Sequence, residues 1–528
     1  MTTKAAKLPS AGTSWLLVVL VALFLLRIAV AAMQPVTSTE AYLWLLGLRW
    51  EAANFSGPGG LPLLAILLDP PGPDGTWILA RLVSPISAAF ATAGAWWLTR
   101  ILIPEKNSLA PWLAAAAWNL LPAVNPATLK FDSAMPFAAA WIWFAALSVR
   151  AIQSSKIHTK PGTSPLLWWA LAALAGTLAA WISYAFWLVP AALLLFAVTR
   201  PGPCLRQPGF YLAFALLALA WAPIFLWNSK SEWIAFAGTT ATRLLSFGWQ
   251  YSLDVAISLL RGAGIMSAPI LLAAAAWSAV RASRSDTARC VVPLLVPAAL
   301  AIVFTLWNGV ETALPLWLPL SLVALPWILR EISMESLRTS NAPRLLALAL
   351  LLTGMQSALL PLTAGVLLSF EAPWSDLSAR LRRAAFIHQA AGKSSLFFIA
   401  PDAQTAAALS YHLLQDPDHE ALVSGFPPVF VHESQFLSDQ FGLWPRYDEF
   451  FETPQPQPGE MFTEQFTEQQ GINPYIGRSA LYLSTESPED LPQTIRSGFS
   501  RILPLEEIFT SQGIWFLYLC EDYQGAPL

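Results

Sequence analysis

Two carboxylates and a few cations stand at the edges of long apolar stretches, where a charge is costly and so needs a reason. Glu40, in Ser38-Thr39-Glu40-Ala41-Tyr42, opens a short apolar and aromatic segment. Asp132, in Lys130-Phe131-Asp132-Ser133-Ala134-Met135-Pro136, stands where another apolar stretch begins. Each has two readings. A carboxylate in a first helical turn satisfies orphan amides and complements the helix dipole. The same group at a membrane surface can act as a general base. Arg81 enters its apolar stretch about one turn from the end. It can snorkel to the headgroups, or its planar fork can hold a lipid phosphate. Lys130 and Arg243 are further candidates for that phosphate. Arg27 lies roughly 9 Å inside its stretch at 1.5 Å per residue, so it must pair or face a protein interior.

The elements that carry these groups are apolar runs at 14–33, 76–99, 109–125, 133–149, 166–182, 183–199, 209–227, 262–280, 291–307, 312–329 and 345–369. Most are long enough as helices to cross roughly 30 Å of hydrocarbon. This predicts a polytopic α-helical membrane protein with about eleven spans. The connecting segments alternate in charge. One set carries fifteen Lys and Arg in short loops, including Lys4, Lys7, Arg100, Arg150, Arg200, Arg281 and Arg330. The other set carries Arg49, Lys130, Lys230, Arg243 and Arg261 in longer loops. The positive-inside rule puts the first set in the cytoplasm. The N-terminus is then cytoplasmic, and Glu40, Asp132 and everything after 370 are outside.

Two outer loops, 34–75 and 228–261, contain apolar stretches too short to span. Thr39–Ala53 and a stretch near Tyr251–Leu260 are expected as surface helices along the membrane. The composition changes at about 370. Residues 1–370 form the transmembrane domain, and 371–528 are expected to form an extracytoplasmic α/β domain. Helices are predicted there at Ser375–Ala391 and Ala403–Leu414. Strands are predicted at Leu396–Ala400, Pro428–His432, Leu481–Ser484, Arg501–Pro504 and Ile514–Leu519.

A hydrophobic content of 55%, 12% charged residues and a mean hydropathy of +0.52 exclude an ordinary soluble domain. The 25 Trp residues suit a chain with many membrane–water boundaries. A net charge of −3 without basic runs offers nothing to nucleic acid. Cys204, Cys290 and Cys520 lack metal spacing and predict no disulfide framework. Asn54-Phe55-Ser56 matches a glycosylation sequon, a pattern common by chance.

Several of these segments resemble glycosyltransferase family 39, the membrane enzymes related to protein O-mannosyltransferases and aminoarabinose transferases. Thr39-Glu40-Ala41-Tyr42-Leu43-Trp44 is similar to the family's first-loop Asp-Glu-Ala-Tyr-Tyr-Trp. Arg81-Leu82-Val83-Ser84-Pro85 resembles its Arg-Leu-Pro-Ser, and Phe131-Asp132-Ser133-Ala134-Met135-Pro136 its Pro-Asp-Ala-Pro-Leu. Pro223-Ile224-Phe225-Leu226-Trp227-Asn228 followed by Glu232-Trp233-Ile234-Ala235-Phe236 is the best match. Ser438-Asp439-Gln440-Phe441-Gly442-Leu443-Trp444-Pro445 resembles a stretch of the outer domain. The first-loop motifs are degenerate. Thr39 replaces the leading acid, Asn54–Pro62 has neither the acid nor the histidine of Tyr-Phe-Asp-His-Pro-Pro, and Ser183 stands where a lysine is expected.

The resemblance implies a GT-C fold and sugar transfer from a polyprenyl phosphate to an acceptor hydroxyl at the periplasmic face, with inversion. Glu40 and Asp132 would be the catalytic carboxylates, and Arg81, Lys130 and Arg243 the donor-phosphate ligands. No metal and no cofactor are expected, the lipid-linked sugar being the substrate. Expected partners are the polyprenyl-phosphate sugar, the bilayer and an acceptor that is protein, lipid or glycan, with no nucleic acid. The expected location is the inner (cytoplasmic) membrane. Two other readings stay open: a catalytically degenerate relative acting in envelope assembly, and a lipid-linked sugar transporter or flippase. The candidate charges cluster at one surface and no internal repeat is visible, which favours an interfacial enzyme over a transporter.

Overall fold

The structure is a computed structural model. It describes residues 11–70, 77–104, 109–121, 124–154, 164–233, 267–307, 314–334, 373–391, 396–416, 425–432, 439–449, 473–510 and 513–525. The chain divides into two compact units. The larger holds the described residues of Met1–Pro35, Trp50–Leu68 and Trp77–Ser369, and the smaller those of Val36–Arg49, Asp69–Thr76 and Phe370–Leu528.

In chain order the helices up to the membrane unit's end are α1 (Ala11–Met33), α2 (Ser38–Leu48), α3 (Gly60–Leu68), α4 (Ile78–Leu102), α5 (Ala110–Asn119), α6 (Val124–Leu129), α7 (Ala134–Ser154), α8 (Pro165–Ile182), α9 (Leu188–Thr199), α10 (Pro201–Leu205), α11 (Pro208–Lys230), α12 (Ser267–Arg281), α13 (Asp286–Trp307) and α14 (Leu314–Met334). All but α2 belong to the larger unit. Among the described residues, α1, α4, α7, α8 and α11 are long and apolar enough to cross a membrane.

The central helix is α7, with 89% of its apolar window buried. It packs on α4, α8 and α14. Alanines at 138, 139, 140, 145, 146 and 151 give it a slim profile, which lets neighbouring backbones approach closely. The α4 partner is Gly94, where a Cβ would sit 2.7 Å from Ile142 Cγ2. At the other extreme α1 has only 11% of its window buried, and Trp15, Val18 and Leu25 face outward. Prolines stand inside α4, α11, α13 and α14, as membrane-spanning helices tolerate.

Two of the expected spans are broken: 183–199 folds as a short turn at Tyr184–Trp187 followed by the 12-residue α9, and 109–125 breaks as well. The run 109–125 folds as the 10-residue α5, a turn at Leu120, and then α6. Ten residues reach only about 15 Å, half a bilayer. The break falls at Asn119, which bonds back to Ala115 O at 2.8 Å and takes side-chain partners from other helices. The run 345–369, the stretch near Tyr251–Leu260 and Arg243 lie outside the described residues.

The smaller unit carries α15 (Trp374–Ala390), α16 (Ala403–Leu414), α17 (Gln493–Gly498) and a five-stranded sheet. The strands are β1 (Leu396–Ala400), β2 (Phe430–Val431), β3 (Ser479–Ser484), β4 (Phe499–Thr510) and β5 (Gly513–Tyr523), in the order β2-β1-β3-β5-β4. β1 is parallel to β2 and β3, while β3, β5 and β4 run antiparallel in turn. β1 reads Leu-Phe-Phe-Ile-Ala and is buried throughout, as a central parallel strand covered on both faces should be. The helix predicted at Ala403–Leu414 occurs at that position, started by Asp402, whose carboxylate accepts from the amides of Gln404 and Thr405 at 2.9 Å.

The segment expected along the membrane surface is α2, and it is a core element of this smaller unit. Eight of its eleven residues are buried. Trp44 meets Tyr411 of α16 edge-on at 5.0 Å, and Tyr42 stacks on Phe441 at 6.3 Å. Trp44 Nε1 donates to Asp69 O at 2.8 Å, and Tyr411 donates to the Asp69 carboxylate at 3.4 Å. Apolar residues on every side of a short helix need cover on every side, and a membrane surface supplies it on one side only.

Next to Tyr411, burial pushes the His412 imidazole down to about 4. The fold therefore favours neutral His412. Its stabilising contribution is full above the unfolded value near 6.5 and is lost as pH falls toward 4. Acidification across that window is expected to cost on the order of 2–3 kcal/mol. Thermal unfolding recorded from pH 7 to pH 4 checks this, because His412→Gln should flatten the acid limb.

Candidate functional site

The candidate polar groups of the membrane unit gather where the C-terminus of α1, the N-terminus of α4 and the junction of α6 with α7 come together. Arg81 is the link between α1 and α4. It is 3% exposed, one turn into α4. Its guanidinium donates to Ala31 O at 3.3 Å and, by shorter contacts, to Gln34 O and Pro35 O. The last carbonyls of α1 have no partner within their own helix, so a cationic fork is well matched to them.

Ser84, one turn after Arg81 on the same face of α4, ties down the next segment. Its hydroxyl donates to Lys130 O at 2.6 Å. Trp77 meets Phe131 edge-on at 5.8 Å. These two contacts fix Lys130-Phe131-Asp132, in which Phe131 is buried and the charged residues are half-buried. Asp132 Oδ1 accepts from Ala134 N at 2.8 Å and so starts α7. The arrangement holds a carboxylate and a lysine, two residues apart, against the helix that carries Arg81.

Arg27 belongs to the same region, one turn before Ala31. It is 6% exposed. Nη1 donates to Asn119 Oδ1 at 2.6 Å, and Nη2 to Asn125 Oδ1 at 2.8 Å. The expectation that this arginine pairs within the bundle is met by two amides that sequence reading did not single out. The rule applied to Arg27, a polar side chain inside an apolar run, would also have flagged Asn119.

A second polar patch joins the loop before α3 to the ends of α8 and α11. Trp227 Nε1 donates to the Glu51 carboxylate, and Tyr184 donates to Asn54 O at 2.7 Å. Asn228 is buried and bonds Ile224 O at 2.9 Å. Ser183 accepts from Ala185 N at 3.2 Å and starts the short turn Tyr184–Trp187. Asn54 is 5% exposed, and its Oδ1 accepts from Ser56 N and Gly57 N at 3.0 Å, so the sequon asparagine is buried in a turn. Glu51 and Asp69 carried no motif that would mark them in the sequence.

Just after the turn, Gly59 and Gly60 leave no room for side chains. A Cβ on Gly59 would lie 2.0 Å from Glu51 O, and one on Gly60 would lie 2.3 Å from Trp181 O. Both neighbours are backbone and cannot swing aside. Gly59→Ala is expected to cost about 1–3 kcal/mol and to lower the unfolding temperature of the detergent-solubilised protein.

Glu40 sits in the other unit. It is 1% exposed and forms a reciprocal capping box with Thr37. Thr37 N donates to Glu40 Oε2 at 2.9 Å, and Glu40 N donates to Thr37 Oγ1 at 3.3 Å. Among the candidate residues the membrane unit therefore brings together Arg81, Lys130 and Asp132. No group of three His, Cys, Asp or Glu that could hold a metal ion occurs among the described residues.

No protein-family model and no curated protein matches the chain. Its likeness to known proteins is one of shape, and that shape is the GT-C fold of membrane glycosyltransferases. The chain is similar to ArnT from Cupriavidus metallidurans in the apo state, at 14% identity and a TM-score of 0.53, over 97% of this chain and 98% of that one. The same ArnT bound to undecaprenyl phosphate aligns at 14% identity over 98% and 100%, with a TM-score of 0.49. The Archaeoglobus fulgidus oligosaccharyltransferase in complex with zinc and sulfate aligns at 13% identity over 74% and 61%, with a TM-score of 0.46.

Proposed function

We propose that this chain transfers a sugar from a polyprenyl-phosphate donor to an acceptor hydroxyl at the outer face of the cytoplasmic membrane. The support is the clustering of Arg81, Lys130 and Asp132 at one end of a membrane unit, in a chain that follows a GT-C structure nearly end to end. Loop charges orient that end outward. About eleven spans, a cytoplasmic N-terminus and an extracytoplasmic C-terminal unit complete the topology.

In the proposed reaction the acceptor oxygen attacks the anomeric carbon and the bond from that carbon to the phosphate oxygen breaks, with inversion. The Asp132 carboxylate takes the acceptor proton. The lipid phosphate leaves with its bonding electron pair, and its growing charge is stabilised by the cations. Lys130, half-exposed on its tethered segment, makes the phosphate contact. Arg81 contributes a fixed positive charge while it holds the end of α1, and Arg243 is assigned to the same work from its outer loop. The reaction as written takes no cofactor. Glu40, enclosed in its capping box, is assigned a structural role here and remains the alternative base.

The test is turnover. Membranes containing the protein, supplied with a labelled polyprenyl-phosphate sugar and envelope acceptors, are expected to release the lipid phosphate and label the acceptor. Label that stays on the lipid would instead favour the reading as a non-catalytic assembly protein. The engagement of both candidate carboxylates in helix capping gives that reading its support.

A further inference from the structure

We propose that a groove on the outside of the membrane unit, between α1, α4 and α5, binds an anionic phospholipid, whose phosphate is the counter-charge of Arg27. The groove encloses about 390 Å³ and is lined by Leu17, Val21 and Phe24 of α1, Ala89 and Ala93 of α4, and Trp112 of α5. Its wall is almost wholly apolar, and Arg27 with Asn119 forms its polar end. From Leu17 to Arg27 the groove follows about 15 Å of α1, a length suited to one lipid chain.

The argument rests on Arg27 itself. A charge within a span is stable when paired or when open to water. Arg27 is 94% buried, and its bonding partners are the amide oxygens of Asn119 and Asn125 and the carbonyl of Asn119. No carboxylate pairs with it among the described residues, and its Nε is a buried donor without an acceptor. The amides have no charge to give. Asn119 Nδ2 is spent on Thr92 Oγ1 at 3.0 Å and Ala115 O at 2.8 Å, which holds the amide oxygen toward the guanidinium. A cation with neutral partners and one orphan donor, at the end of an apolar groove on a helix that faces lipid, takes its counter-charge from the lipid. A phosphate diester suits a guanidinium, and the chain attached to it fills the groove.

The full-length protein, purified in mild detergent and exchanged into mixed phosphatidylglycerol and phosphatidylcholine, is analysed by native mass spectrometry for retained lipid. Phosphatidylglycerol is expected to be retained over phosphatidylcholine by roughly tenfold or more. Arg27→Gln keeps a donor for Asn119 and removes the charge, so it should abolish the preference. Ala93→Phe adds a ring to the exposed wall of the groove, away from the core, and should reduce retention of both lipids. Equal retention of the two lipids by the unaltered protein would overturn the proposal. So would an intact preference in Arg27→Gln, or retention of inorganic phosphate in place of lipid. Lipid retention is read without turnover, so this outcome stands apart from that of the transfer assay.

Discussion

Asp132→Asn is expected to lower sugar transfer by about 10²–10⁴-fold, the usual contribution of a general base, with little change in stability. Asn keeps an oxygen to accept from Ala134 N, so the start of α7 survives and only the proton acceptor is lost. The companion variant is Glu40→Gln. Gln serves as well as Glu at the third position of a capping box, so the bonds between Glu40 and Thr37 can both persist. Transfer by Glu40→Gln should stay within a few-fold of the unaltered protein. Rates measured in membranes for the two variants separate the assignments, because each conserves its cap and removes one charge. A collapse of activity in Glu40→Gln with Asp132→Asn still active would move the base to the other unit.

The second large effect is on stability. Arg81→Gln withdraws the donors shared by the carbonyls of Ala31, in the last turn of α1, and of Gln34 and Pro35 just after it. Pro35 is exposed and Ala31 O also accepts from Gln34 N, so the expected loss is that of one buried carbonyl, about 1–3 kcal/mol. Thermal unfolding in detergent should show it as a fall of several degrees. Arg81→Lys should restore only part, since a single ammonium cannot span the carbonyls that a planar fork reaches. A phosphate ligand with no anchoring role would behave differently: the same variants would raise KM for the lipid donor and leave unfolding unchanged.

Much of the membrane unit was legible in advance because hydrophobic length and loop charge are local properties. The helices at Ala134–Ser154, Pro165–Ile182 and Pro208–Lys230 fall where apolar runs placed them. Arg27 was readable as a paired residue on cost alone. The capping readings of Glu40 and Asp132 were also legible, since a capping box spans four consecutive residues and needs no tertiary information. The 109–125 run misled for a related reason. Hydropathy averages over a window, so a helix that stops at Asn119, three residues before Pro122, leaves that average unchanged.

What the sequence by itself determined is therefore the class: a polytopic helical chain, its alternating pattern of charged loops, the helix starts, and an α/β composition after residue 370. Only the tertiary structure decided which surfaces those elements share. It assigned α2 to the core of the smaller unit, joined Glu51 to Trp227 across 176 residues, and set Arg81 on the carbonyls of α1. The physical reason is common to all three. Periodicity and hydropathy report that a face must be covered or a charge satisfied, while the identity of the covering group depends on segments whose distance along the chain carries no signal.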